Sequence, residues 1–416
     1  MPRFLAAVCL ACVAAAFFVS AQGARAENTL VVVHAFNDVT DGDEPVGLVA
    51  DGAGNIYGVA ATGGVGTVCQ GHGCGTVFKI APDGTETVLH TFSSSDGSGP
   101  LGIVFHPNGN IYGTTVGGGK HGFGTVFELT PSGREKVLFS FNATHKSSYS
   151  PHGIFPQPTL IVGPDGTMYG TTQNGGVNSA CHRVGGEAGC GTVYKITPDG
   201  VLTTLYAFGG QDDGCDPRGG LVMDKTGNLY GTTQGCGRGN YGTVFKLDST
   251  GRETILHMFS QPGDGATPVG TPILDGDGNL YGGTMAGGTG CPSLGCGIVY
   301  KIAPDGTETI LYSFQDYPDG AFIYGSLYRD KTGNLYGTTQ GGGAVHSCNA
   351  PFGCGIAFKL APDGTKTDLH VFLGPNRNDG AGTYFGLVTD GQRSKQLYGS
   401  TAVGPGCCGM IYEIRE

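Results

Sequence analysis

Two neighbouring segments of the chain concentrate side chains that could do acid–base or binding chemistry. Imidazole, carboxylate, guanidinium and phenol groups together could move protons on an anionic ligand or hydrogen-bond a glycan. The same side chains are also compatible with longer, solvated loops, and no catalytic residue is assigned. The candidate set, spread over residues 142–157 and 174–190, is His145, Tyr149, His152, His182, Arg183 and Glu187.

Acidic side chains recur at Asp-Gly pairs, which allows two interpretations. A ring of carboxylates could attract cations or sugars, but Asp and Gly are also the residues that build tight turns, and a turn is favoured. A run such as Asp275-Gly276-Asp277-Gly278 resembles part of a calcium loop, yet an EF-hand needs Glu at loop position 12, where this chain has Ala286. We therefore predict no metal and no cofactor, with calcium as a lesser alternative.

Composition narrows the class of protein. Glycine accounts for 79 of 416 residues and proline for 22, close to the share found in low-complexity chains. However, 39% of the residues are hydrophobic, including 18 Tyr and 21 Phe, so the chain can bury a core. The net charge of −11 argues against a nucleic-acid-binding protein, which needs a basic surface.

A Tyr-Gly pair that follows a turn recurs seven times along the chain. The period is about 57 residues, a length typical of solenoids, propellers and arrays. Each unit contains four short apolar runs, which we label A to D in chain order. The tyrosines of the repeated pair are Tyr57, Tyr112, Tyr169, Tyr230, Tyr281, Tyr336 and Tyr398.

The four runs of each unit have the character of β-strands. In the first unit they read GLVAD, NIYG, GTVFKI and TVLHTF, rich in Val, Ile, Thr, Tyr and Phe and separated by Asp-Gly or Asn-Gly turns. No helical period appears. Since four-stranded units repeated radially form a β-propeller, we predict an all-β, seven-bladed β-propeller of four-stranded blades.

The two ends of the chain predict how the ring closes. Residues 28–36 match a D strand, whereas the last unit stops after its C strand. The N-terminal strand is therefore expected to complete the last blade, and residues 27–416 are predicted to form a single domain. A linear solenoid would need polar capping units, which the sequence lacks.

The cysteines are predicted to pair within individual units. Two of the fourteen, Cys9 and Cys12, precede the repeats, and the other twelve fall in the D–A and B–C loops. These loops should emerge on one end of the ring, here called the loop face. Zinc is disfavoured, because the Cys pairs lie in different blades. The expected disulfides are Cys69–Cys74, Cys181–Cys190, Cys215–Cys236, Cys291–Cys296, Cys348–Cys354 and Cys407–Cys408.

The repeat resembles a known family. Its pattern, as in TGNLYGTT followed by a Gly-rich loop, GTVFKL and PDGTET, is similar to the bacterial GloVer (Gloeobacter–Verrucomicrobia) tandem repeat. The resemblance covers nearly the whole chain after its N-terminus. It implies an exported repeat protein and implies no particular reaction.

The N-terminus has the features of an export signal. Arg3 precedes an apolar run over residues 4–19, and Ala24-Arg25-Ala26 is an A-x-A cleavage site. Residues 1–26 are therefore predicted to be a signal peptide, and the mature protein is expected in the periplasm or outside the cell. After cleavage, no stable membrane anchor is expected.

Three functions are compatible with these features. The leading hypothesis is a protein that binds a carbohydrate or a protein partner on the loop face. The alternatives are an enzyme of lactonase, hydrolase or polysaccharide-lyase type at the channel mouth, or a structural surface protein. An enzyme should gather perturbed ionisable groups in one pocket, whereas a binder should show an aromatic and polar rim. Candidate rim aromatics are Phe123, Tyr149, Tyr241, Tyr317, Phe352 and Tyr384.

Overall fold

The chain folds into a seven-bladed β-propeller. A computed structural model describes residues 29–65, 69, 71–143, 150–176, 181, 189–260, 263–292, 294–315, 317–343, 348, 353–390, 396–405 and 408–415. Seven antiparallel sheets are present, and in each the strands are ordered A to D as in the sequence. The described residues contain no α-helix, only 3-10 turns at Gln211–Asp213, Arg238–Asn240 and Pro375–Arg377.

Blades one to three follow the sequence-predicted order of strands, from the axis outwards. In blade three the A strand is interrupted, so that two short strands pair with the same B strand. The strands are β2 (Asp43–Ala50), β3 (Ile56–Thr62), β4 (Thr76–Ile80) and β5 (Glu86–Thr91) in blade one; β6 (Ser98–Phe105), β7 (Ile111–Gly117), β8 (Thr125–Leu129) and β9 (Glu135–Ser140) in blade two; and β10 (Ser150–Pro156), β11 (Ile161–Val162), β12 (Met168–Gly176), β13 (Thr192–Ile196) and β14 (Leu202–Ala207) in blade three.

Blades four to six have the same order, with an interrupted A strand in blade five. Their strands are β15 (Val222–Met223), β16 (Leu229–Thr233), β17 (Thr243–Leu247) and β18 (Glu253–Met258) in blade four; β19 (Gly265–Pro268), β20 (Ile273–Leu274), β21 (Leu280–Gly287), β22 (Ile298–Ile302) and β23 (Glu308–Ser313) in blade five; and β24 (Tyr328–Arg329), β25 (Leu335–Thr339), β26 (Ile356–Leu360) and β27 (Lys366–Val371) in blade six.

Blade seven combines strands from both ends of the chain. It contains β28 (Val388–Thr389), β29 (Gln396–Thr401) and β30 (Met410–Arg415), with β1 (Thr29–Ala35) as its outermost strand. Strand β1 pairs antiparallel with β30, from Thr29 opposite Arg415 to Ala35 opposite Met410. The first described strand therefore lies in the same sheet as the last three.

Consecutive blades are joined by aromatic pairs that recur at all seven junctions. A phenylalanine that ends each D strand packs against the aromatic residue of the next blade's C strand, with ring centroids 5.1 to 5.5 Å apart. Such edge-on pairs add to the free energy gained by burying the rings. The pairs are Phe36–Phe78, Phe92–Phe127, Phe141–Tyr194, Phe208–Phe245, Phe259–Tyr300, Phe314–Phe358 and Phe372–Tyr412.

This aromatic packing explains the repeated Tyr-Gly pair. The C-strand ring lies over the glycine of the B strand, so that a β-carbon on Gly231 would meet Phe245 Cζ at 2.7 Å. Every other glycine of the pair, from Gly58 to Gly399, is covered by its own C-strand aromatic ring closer than 3.0 Å. A side chain at this position would displace the ring that receives the preceding blade.

In addition to the aromatic pair, a hydrogen bond links six of the seven D strands to the loop that follows; the D strand of blade two has Phe139 at this position. His34, His90, His257 and His370 lie 3.0 to 3.4 Å from the Asp of the Asp-Gly pair, and Tyr206 and Tyr312 donate to the same Asp position. In several loops the Asp also accepts a backbone N–H, as Asp41 does from Asn37. The Asp-Gly pairs are therefore turns that close these blades onto the next.

Disulfides hold the loops at one end of the ring. The structure contains Cys69–Cys74, Cys181–Cys190, Cys215–Cys236, Cys291–Cys296 and Cys348–Cys354, which are five of the six pairs expected from the sequence. Cys408 is also disulfide-bonded, and its expected partner, Cys407, lies outside the described residues. Because Cys215–Cys236 joins a D–A loop to a B–C loop, both kinds of loop emerge on the loop face.

We predict that Gly231→Ala lowers the free energy of unfolding by about 1–3 kcal/mol, the usual cost of overpacking a core. The added methyl would meet Phe245 and, at 3.0 Å, Leu221. Gly276→Ala is the matched control, because it lies in an open turn with nothing within 4 Å. Denaturant-induced unfolding measures both; equal stability of the two variants would contradict the packing role of the Tyr-Gly glycine.

Candidate functional site

The structure places only one member of the predicted ligand-binding set. His145, Tyr149, His182, Arg183 and Glu187 lie outside the described residues. His152 occupies the position that Asp has in the other junctions, with its ring 5.9 Å from that of Phe139 and its Nδ1 3.2 Å from Thr204 Oγ1. It lies between blades two and three and is not among the residues that line the axial cavity.

A cavity of about 580 Å³ lies on the axis and is lined by residues in or next to the A strands of all seven blades. Its lining also includes the ends of B strands, such as Ala61, Val116 and Gln173. Since B strands run towards the loop face, the cavity lies at that end of the axis. Its volume falls within the range of small-molecule sites.

Each blade contributes one side chain to a ring around this cavity. These side chains occupy one position of the repeat. A glycine follows it directly in blades one, two, four, five and six, whereas Pro158 follows it in blade three and Phe385 in blade seven. Blades one, two and five contribute aliphatic groups, blades three and four polar groups, and blades six and seven tyrosines. The axial ring is Val46, Leu101, Gln157, Arg218, Val269, Tyr324 and Tyr384.

The axial ring is amphipathic because its members differ in chemistry from blade to blade. The rings of Tyr324 and Tyr384 meet edge to face with centroids 5.5 Å apart. Gln157 is 5% exposed and donates through Nε2 to the carbonyl of Phe155. The amide oxygen of Gln157 and the two phenols provide hydrogen-bonding capacity beside an apolar wall.

A narrow collar of glycine and hydroxyl groups follows the axial ring. Adjacent A strands approach so closely that a β-carbon on Gly47 would lie 2.6 Å from Gly102 Cα. Across the axis, Thr271 Oγ1 lies 3.5 Å from Thr159 Oγ1 and accepts a hydrogen bond from the Gly220 amide. The collar therefore restricts the axis to small groups, and only glycine permits this approach of the backbones.

Among the residues that the structure describes, two charged side chains line the cavity, Glu44 and Arg218. Burial and the adjacent Asp43 raise the pKa of Glu44 above its ordinary value. The guanidinium of Arg218 forms an ion pair of 3.3 Å with Asp216, whose side chain is 1% exposed. Arg218 Nε faces Asp216, and the side chain, 31% exposed, lies in the cavity lining.

A second set of ionisable groups lies between the outer edges of the blades. Glu86, Glu135, Glu253 and Glu308 begin D strands and face the Asp of the preceding junction. Burial and the negative charge of that Asp raise the pKa of each of these glutamates to about 7. They therefore hold protons near neutral pH. The sequence analysis missed this set, although each Glu lies two residues after the glycine of the C–D turn.

The A–B turns account for the runs that resemble calcium loops. Asp275 Oδ1 accepts hydrogen bonds from the amides of Asp277 and Asn279, and its Oδ2 accepts one from the Tyr281 hydroxyl. Asp224 and Asp330 make equivalent bonds. These carboxylates organise the turn before strand B and fix the tyrosine of the Tyr-Gly pair.

Solved structures share this propeller architecture at low sequence identity. A catalytically inactive virginiamycin B lyase from Staphylococcus aureus, solved with quinupristin, matches with a TM-score of 0.59 at 13% identity, over 94% of this chain and 100% of that one. The extracellular domain of a putative one-component system from B. thetaiotaomicron matches with a TM-score of 0.56 at 11% identity, over 93% of this chain and 40% of that one. These likenesses define the chain as a β-propeller protein.

The family follows from the repeat itself. The model of the Gloeobacter/Verrucomicrobia repeat matches three times, over residues 21–184, 67–291 and 254–416. The chain therefore belongs to the Gloeobacter/Verrucomicrobia repeat family, as the sequence resemblance indicated. No curated protein matches it by sequence. No helical segment among the described residues has the length and hydropathy to cross a bilayer.

The axial ring was mostly missed by the sequence analysis. Of its seven members, only Tyr384 was among the predicted rim aromatics. The available signal was the position that precedes a glycine in five of the seven blades, where the repeats carry side chains of very different chemistry. Of the other predicted rim aromatics, Phe123 packs against Phe155, Tyr241 is partly buried against the core, and Tyr317 is 59% exposed; Tyr149 and Phe352 lie outside the described residues.

We predict that the melting temperature of the protein falls as the pH rises from 5 to 8. The pKa of the four junction glutamates is raised from 4.5 to about 7 on folding, so the native state binds their protons more tightly than the unfolded state. Their stabilising contribution is complete below about pH 4.5 and is lost as the pH passes through 7.

The matched variant replaces all four glutamates with glutamine, which keeps their shape and removes the titration. Its melting temperature, measured by calorimetry, should vary less between pH 5 and 8 than that of the natural chain. A constant or rising melting temperature in the natural protein would contradict the prediction.

Proposed function

We propose that the protein is an exported binding protein that takes a carbohydrate into the axial cavity at its loop face. The observation that carries this proposal is the axial ring, in which one side chain from each of seven blades meets around a cavity of about 580 Å³. A repeat scaffold places its functional differences at such equivalent positions, because the remaining positions maintain the fold.

The chemistry of the cavity suits a sugar. A pyranose has an apolar ring face and a rim of hydroxyl groups. Tyr324 and Tyr384 supply an aromatic surface, whereas Gln157, Arg218 and Glu44 supply donors and acceptors. A small number of polar groups on an apolar wall is the usual composition of a small-molecule site.

Export is supported by the covalent chemistry of the loops. Five disulfides join described residues, and disulfides persist in oxidising compartments such as the periplasm and the exterior. Pre-formed, cross-linked loops also lower the conformational entropy lost when a ligand binds. The sequence-predicted signal peptide agrees with this location.

A protein partner is the second candidate, favoured by exposed apolar side chains on the loop face. Val39, Val65, Leu294, Tyr317 and Val403 are between 38% and 71% exposed. All five lie in D–A or B–C loops of the consecutive blades five, six, seven and one. Exposed apolar groups concentrated on one surface are typical of a protein interface.

We predict that Tyr384→Ala weakens carbohydrate binding by about tenfold or more, as expected when an aromatic anchor is removed. The probe is a glycan array followed by calorimetry on the sugar that binds, with hydrolysis, elimination and lactone opening measured in parallel. Tyr317→Ala is the matched control, because it removes an exposed tyrosine from the same face outside the cavity.

Three results would contradict the proposal. The sugar could bind equally well to both variants, or only Tyr317→Ala could lose binding, which would place the site on the rim. Turnover of a glycan or lactone that Tyr384→Ala abolishes would instead favour the enzyme alternative.

A further inference from the structure

Three junctions carry a D-strand histidine, the aspartate of the following loop and a glutamate of the next blade. The set His34, Asp41 and Glu86 is not among the close clusters of possible ligand atoms, whereas the other two sets are. In each of these two sets the three ligating atoms lie within 4.8 Å of one another. The histidine lies on one D strand, the aspartate in the loop that follows it, and the glutamate on the D strand of the next blade. The two close sets are His90, Asp96 and Glu135 between blades one and two, and His257, Asp264 and Glu308 between blades four and five.

The spacing of these atoms is close to that of a metal site. With ligands about 2.1 Å from a tetrahedral Zn²⁺, neighbouring ligand atoms are about 3.4 Å apart. His257 Nε2 lies 3.4 Å from an Asp264 oxygen and 3.9 Å from Glu308 Oε1, and His90 Nε2 lies 3.1 Å from Asp96 Oδ2. One imidazole and two carboxylates are donors that first-row transition metals accept.

Each set leaves a buried glutamate oxygen that either a proton or a cation can satisfy. Glu135 Oε1 and Glu308 Oε1 are sealed from solvent and have no hydrogen-bond partner. Each of these glutamates also faces an aspartate that bonds to the histidine. Two carboxylates in a half-buried site repel unless a proton or a cation lies between them.

The chain itself supplies a cation at the equivalent position of another junction. Between blades five and six, Lys366 replaces the glutamate, and its Nζ lies 2.9 Å from Asp319 Oδ1. Lys366 Nζ also contacts Asp368, and its side chain is 9% exposed. A positive charge is therefore compatible with this position in the folded ring.

We propose that His90, Asp96 and Glu135, and likewise His257, Asp264 and Glu308, each bind one divalent transition-metal ion such as Zn²⁺, which links two blades. Binding displaces the proton held between the carboxylates, so ions and protons compete for the site. Each ion would add a cross-blade connection at the outer edge of the ring, remote from the axial cavity, and would stabilise the folded chain by mass action.

The test is a calorimetric titration of the chelator-treated mature protein with ZnCl₂, with its disulfides intact and no histidine tag. The expected stoichiometry is two ions per chain, with a rise in melting temperature and release of protons. Glu308→Gln should reduce the stoichiometry to one, and Glu135→Gln with Glu308→Gln to zero. Glu253→Gln is the matched control, because its junction has Tyr206 in place of histidine, and should leave two.

A second variant distinguishes loss of a metal ligand from misfolding of the protein. His257→Tyr reproduces the residue that the chain uses at the same position in Tyr206 and Tyr312, so it should fold and lose one ion. Visible absorption of the Co²⁺-loaded protein should fall by half in this variant. Absence of saturable Zn²⁺ binding, or two ions retained by the double glutamine variant, would overturn the proposal and show that these glutamates hold protons only.

Discussion

The insertion of each D-strand phenylalanine against the C-strand aromatic of the next blade is the interaction on which the ring depends. It recurs at seven junctions, including Phe36 against Phe78 and Phe372 against Tyr412, which flank the blade built from both chain ends. Each C-strand ring fits because the B strand beneath it has glycine, as at Gly231 under Phe245. The most frequent residue in the sequence is thus tied to its largest buried side chains.

Around this interaction, the polar residues of the repeat maintain the spacing of the blades. In six of the seven blades the His or Tyr of the D strand bonds to the Asp of the following loop, and Asp275 and its equivalents fix the tyrosine of strand B. These residues have the chemistry of catalytic and metal-binding groups, but most of it is used in turns and junctions. Recurrence from blade to blade is therefore evidence for a structural role.

We infer that function depends on the positions at which the repeats differ in side chain. The axial ring changes from Val46 to Gln157, Arg218 and Tyr384, although the order of strands is the same in every blade. The junctions differ in a similar way, because the first residue of the D strand is Glu308, Lys366 or Leu202 in different blades. A sevenfold scaffold converts such differences into an asymmetric site, because each blade presents one residue to a common axis.

The sequence alone predicted the architecture. The Tyr-Gly period and the strand and turn residues predicted the seven blades, and the positions of the cysteines predicted the disulfide pairs seen in the structure. Each of these features is a local or repeated pattern. The sequence did not predict the axial ring, in which Gln157 and Tyr384 are far apart in the chain and meet only because the blades radiate from one axis. Nor did it predict the raised pKa of Glu308, which burial and Asp264 of the neighbouring blade produce. Contacts between blades bring together residues from separate repeats, and only the closed ring decides which of them meet.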